Sequence, residues 1–117
     1  MIVPQMVTPN ASTIIGVWNS LEFVSNSGEV IQSYTDEIWA IDENTILVKI
    51  RETNQEDAYL YSLSSIQGDT EYYSLDMIHS IDPSKSKAIR VKFNSHKMEV
   101  KNLDIFEETG NLVFIRQ

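Results

Sequence analysis

A chain of 117 residues suits one hydrophobic core and is too short for two, and its 42% hydrophobic against 22% charged residues set it among folded globular proteins, not disordered ones. Nine basic residues against seventeen acidic ones leave a net charge of -8, a field that repels phosphate backbones and anionic lipid, so neither nucleic acid nor a membrane surface is an expected partner. The absence of cysteine removes disulfides, thiolate metal sites and thiol nucleophiles.

Residues 1–13 read as a lead-in to a single domain over 14–117. The opening Met1-Ile2-Val3-Pro4-Gln5-Met6-Val7 has no basic region, and Pro4 and Pro9 interrupt its apolar run, so it does not read as a signal peptide. As written the chain reads as cytoplasmic, or as a mature secreted or periplasmic form if an upstream signal has been removed. Cap-type residues in Thr8-Pro9-Asn10-Ala11-Ser12-Thr13 predict one helical turn before the first strand.

From Ile14 onward, short runs rich in β-branched and aromatic residues alternate with Asn, Asp, Ser and Gly clusters, the rhythm of an antiparallel meander. The first run, 15–24, ends at Ser25-Asn26-Ser27-Gly28, where glycine can adopt a positive φ. The second, 29–41, has no clear inner face and predicts an internal bend or bulge. In the third, 45–53, Ile46, Val48 and Ile50 oppose Lys49 and Arg51 and are expected to face the core. A turn over 54–57 leads to the fourth, 58–66, with Tyr59, Tyr61 and Leu63 on one face.

The fifth run, 70–81, precedes a polar loop over 82–87 whose Pro83 cannot serve a ladder. Ile89, Val91 and Phe93 alternate with Arg90 and Lys92 in the sixth, 88–93. In the seventh, 97–106, Leu103 and Ile105 fall out of phase with Met98 and Val100, predicting a bulge near Lys101 and Asn102. A turn over 107–110 introduces the last, 111–117. About eight consecutive antiparallel strands fit a closed up-and-down barrel, although an open sheet or a two-sheet sandwich would use much of the same pattern.

Gly16-Val17-Trp18 in the first strand, with Arg116 in the last, resembles the lipocalin and wider calycin pattern. The resemblance implies that Trp18 plugs one end of the barrel and that Arg116 packs across its indole, a contact worth roughly 0.5–2 kcal/mol as a cation–π pair. The chain is also similar to small bacterial lipocalin-like domains through Tyr73-Ser74-Leu75-Asp76 and the following Asp82-Pro83. It is shorter than secreted lipocalins and lacks the Arg-x-Tyr near its end by which fatty-acid-binding proteins hold a carboxylate.

Little catalytic chemistry is legible. His79 and His96 stand apart with no ligand cluster around them, so no metal site is expected, and no serine lies in a nucleophile elbow. There is no glycine-rich phosphate loop, and no cofactor is expected. Asp36, Glu37 and Asp76 fall inside predicted strands, where an inward carboxylate would mark a site and an outward one would simply be solvated. Tyr34, Trp39, Tyr59, Tyr61 and Tyr72 supply rings for an apolar ligand at a barrel mouth, or for the core. The sequence therefore leads to a non-enzymatic barrel that binds a small apolar or amphipathic molecule. Its alternative is an acidic inhibitor or immunity protein that neutralises a basic toxin or protease.

Overall fold

The computed structural model describes residues 14–105 and 108–117. Nine strands follow in chain order: β1 (Gly16–Val24), β2 (Val30–Ser33), β3 (Glu37–Ile41), β4 (Thr45–Ile50), β5 (Gln55–Ser65), β6 (Tyr73–His79), β7 (Lys87–Phe93), β8 (Lys97–Ile105) and β9 (Glu108–Arg116). Each is antiparallel to its neighbour, and the β1–β9 pairing closes β1 and β3–β9 into an eight-stranded up-and-down barrel, with β2 as an extra strand on the end of β1. Closure satisfies backbone groups that an open sheet would leave at its edges. The helical turn expected over 8–13 lies outside the described residues. Among the described residues no helix is long and apolar enough to cross a membrane.

The bend expected within 29–41 divides that run into β2 and β3. Tyr34, Thr35 and Asp36 leave the ladder, and the Tyr34 N–H donates to the Leu21 carbonyl at 3.0 Å. Leu21 is itself skipped where the β1–β9 register slips between Ser20 and Glu22, so kink and break face each other and turn one corner of the wall. The expected bulge in β8 is also present, between Val100 and Leu103.

Three boundaries differ from expectation. β4 ends at Ile50 and the turn occupies 51–54, because Asn54 accepts a left-handed φ of 58° while Asp36 holds the turn from across the corner. Its carbonyl accepts the Arg51 N–H at 2.8 Å and its carboxylate the Glu52 N–H at 2.9 Å. β6 is shorter than the run 70–81, since Asp69 folds the preceding residues into the turn by accepting the Glu71 and Tyr72 N–H groups. β9 begins at Glu108, so Gly110 is a strand residue and not part of a turn. A Cβ there would lie 2.5 Å from the Val24 carbonyl oxygen and 2.8 Å from the Phe23 ring; glycine allows β9 to close against β1.

Inner faces follow the two-residue period. Trp18, Phe23, Trp39, Ile41, Ile46, Tyr59, Leu75, Met77, Val91, Met98, Val100, Leu112 and Phe114 form one buried cluster with Ile14. Val48, Tyr61, Leu63, Ile89 and Phe93 pack on it. Ile46 is fully buried as expected, whereas Ile50, at the strand end, is only half-buried.

One end of the barrel is sealed. The Trp18 indole N–H donates to the Ile14 carbonyl at 2.8 Å, and the Arg116 guanidinium lies 4.2 Å from the indole centroid. Arg116 Nη1 donates to the Ile15 carbonyl at 2.7 Å and Nε to the Ser95 carbonyl at 2.8 Å. Gly16 makes room for this lid: its φ is +146°, and a Cβ would sit 2.5 Å from Arg116 Nη1.

Candidate functional site

At the opposite end the inner face changes from apolar to polar. In β3 the alternation that turns Trp39 and Ile41 inward also turns Glu37 inward, and the corner before it brings Tyr34 alongside. The Glu37 carboxylate accepts the Tyr34 hydroxyl at 3.1 Å and the Trp39 indole N–H at 2.9 Å, one on each oxygen. Its backbone N–H donates to the Oγ of buried Ser20 at 3.0 Å, tying the site to β1. Trp39 rests on Phe114 with ring centroids 5.0 Å apart, so the core fixes the indole under the carboxylate.

Two strands away, Tyr59 faces the same interior. Burial, followed by the charges of Asp57 and Glu37, holds its hydroxyl pKa above the ordinary phenol value. Tyr34 is shifted the same way and further, by burial first and then by Glu37. Both phenols therefore stay protonated as neutral donors in a negative local field.

Asp57 and His79 complete the mouth. Asp57 Oδ1 and His79 Nε2 are 2.8 Å apart, and the imidazole meets the Tyr59 ring edge-on at 5.1 Å. His79 Nδ1 accepts two backbone N–H groups, from Ile81 at 3.2 Å and Asp82 at 2.9 Å. An atom that accepts twice carries no hydrogen, so the neutral ring has its proton on Nε2 and donates it to Asp57. The bond from His79, with a lesser one from Gln55, keeps the Asp57 carboxyl below its usual pKa. Lys85 Nζ approaches the same oxygen at 3.7 Å, and Lys87 Nζ stands 5.6 Å from the Tyr59 centroid.

Of the five rings singled out from the sequence, the fold places Tyr34, Trp39 and Tyr59 around this mouth. Tyr61 points its hydroxyl to the Asp42 carbonyl at 2.6 Å, in the β3–β4 turn at the other end. Tyr72 stands apart, its ring facing Lys92 at 5.2 Å and Lys101 at 4.7 Å. Of the three candidate carboxylates, Glu37 turns inward, Asp36 caps the turn after β4, and Asp76 is exposed. The pairing of Asp57 with His79 escaped sequence reading because 54–57 looked like a turn. The usable signal was the shared parity of Asp57, Tyr59 and Tyr61 on one strand face. His96 lies exposed in the β7–β8 turn, and among the described residues no group of His, Asp and Glu has metal-binding geometry.

A separate groove of about 450 Å³ runs over the outer wall, where Val17, Ala40, Leu47 and Ala58 are successive cross-strand partners. The two alanines make it concave. It is apolar, with Asp42 as its charged member, and lacks the convergent polar groups present at the mouth. Compared with protein families, curated proteins and solved structures, the chain matches none.

Proposed function

We propose that this protein is a non-enzymatic binding barrel of the lipocalin type that holds a small amphipathic molecule at its polar mouth, against Tyr34, Trp39 and Tyr59. The observation that carries the reading is Glu37, an inward carboxylate on a floor of aromatic rings in a barrel whose other end is sealed. Apolar area with a few placed polar groups is the make-up of small-molecule sites. The Gly16, Trp18 and Arg116 arrangement supports the lipocalin comparison, since all three serve one lid. Binding without catalysis is supported by the engagement of both His79 ring nitrogens, which leaves the imidazole no lone pair for general-base work.

Access is supported by the corner. The β2 strand pairs with β1 on one edge and with no described strand on the other, so the wall beside Tyr34 and Glu37 is not laddered shut. Native mass spectrometry of protein purified gently from its own cells tests the reading. The expected result is an adduct of a few hundred daltons that is lost or weakened by Tyr34→Ala. A stoichiometric protein adduct that dissociates with salt would support the inhibitor reading instead, and a bare chain would contradict both.

A further inference from the structure

Barrel closure pairs every other described strand on both edges and leaves β2 with one edge free. β2 bonds to β1 on one side, and no described strand pairs with it on the other. The Tyr34 N–H points to the Leu21 carbonyl and Gln32 stands opposite Phe23, so the alternation of an antiparallel ladder turns the N–H and C=O of Ser33 away from β1. Outward backbone groups on an exposed, extended strand are a template for another extended chain. The side chains do not guard it: Val30, Ile31, Gln32 and Ser33 include no lysine and no proline, and Val30 is 58% exposed. The register with β1 skips Ile31, which confines the template to the end of β2 nearest the corner.

Charge selects what can pair there. The first 48 residues hold six carboxylates and no lysine or arginine. Four of the six flank β2 in register or in sequence: Glu22 opposite Ser33 on β1, Glu29 directly before the strand, and Asp36 and Glu37 at the corner after it. Among the described residues none of these four is in an ion pair. Arg51, in the turn held by Asp36, directs its guanidinium instead to Asn19 Oδ1 at 2.9 Å. A second copy pairing through its own β2 would bring the same carboxylates together, and an acidic segment would meet the same repulsion. A basic segment is attracted both by these groups and by the net charge of -8.

We infer that the free edge of β2 is a docking site for an extended, basic segment of a partner protein, which adds as a further strand beside Ser33. The inference does not depend on the carrier reading, because its contacts are made by backbone groups at a sheet edge. Three capped hexapeptides test it in proton–nitrogen NMR titrations at fixed ionic strength. One alternates lysine and threonine, the second is the same peptide N-methylated at every residue, and the third alternates glutamate and threonine.

The lysine peptide is expected to bind about tenfold or more tightly than either of the others, to protect the Ser33 amide from solvent exchange, and to weaken as salt is added. Ser33→Pro, which removes the outward N–H and no charge, is expected to bring it down to the level of the N-methylated form. Equal binding of the lysine peptide and its N-methylated form would overturn the inference by showing attraction to charge alone. Equal binding of the lysine and glutamate peptides would overturn the basic assignment. Binding of no peptide would overturn the docking site, as would a wild-type dimer that Ser33→Pro dissociates, since the second copy would then be the occupant. The peptide comparison stands by itself should Ser33→Pro fold poorly.

Discussion

The two tryptophans are ladder partners, Trp18 on β1 and Trp39 on β3, yet their indole N–H groups serve opposite ends of the barrel. Trp18 donates to a backbone carbonyl and lies under a guanidinium whose Nε and Nη1 bond to further carbonyls. Trp39 donates to a carboxylate that no cation of the described residues balances. At the sealed end a positive charge lies against an indole face and backbone carbonyls. At the mouth a negative charge lies on similar aromatic material, with no cation of the described residues within ion-pair distance. The contrast teaches that one side-chain chemistry, an indole N–H beside a charged group, is set in two different electrostatic surroundings by one ladder.

That contrast predicts unequal responses to substitution. Trp18→Ala should have the largest effect, a loss of about 3–5 kcal/mol in urea unfolding, as for other buried aromatics. A loss below about 1 kcal/mol would mean that the lid is not part of the core. Gly16→Ala should cost about 1–3 kcal/mol from backbone strain and contact with Arg116. Part of that cost should disappear in an Arg116→Ala background, a coupling readable in a double-mutant cycle. At the mouth, Glu37→Gln should leave stability within about 0.5 kcal/mol of wild type or raise it, because a neutral amide replaces an unbalanced charge while keeping an acceptor oxygen. A loss above about 2 kcal/mol would make Glu37 a structural group and not a receptor.

The smallest effect is an acid one. The folded-state pKa of Asp57 is depressed by His79, so its contribution to stability is present above the unfolded carboxyl value of about 3.9 and is lost as pH falls through the lower folded value. Asp57→Asn should flatten that part of the acid limb of a thermal melt and leave its neutral region similar in shape. An unchanged limb would show that the pair does not couple to folding.

Much of the barrel was legible because its alternating runs are local: β7 reads directly from Ile89, Val91 and Phe93, and the β8 bulge from the phase slip at Leu103. The lid was legible only through the lipocalin resemblance, since nothing local connects Trp18 with an arginine 98 positions later. The corner at Tyr34 was foreseen as a bend but not as the element that brings Tyr34 to Glu37, which depends on Leu21 in another strand. Asp57 was hidden by turn-like composition, and Gly110 was read as a turn residue when its role is close approach to Phe23. Sequence period reports the face of a strand; partners across the barrel depend on register, which no short window contains.

The measurement that most directly tests the binding proposed for the polar end is a proton–nitrogen NMR titration of the two indole N–H resonances with 1-octanol as a small amphipathic probe, one reporter for each end of the barrel. The account predicts that the Trp39 signal shifts progressively and saturates while the Trp18 signal stays in place. A shift confined to Trp18, or equal shifts at both, would contradict the proposed binding at the Trp39 end.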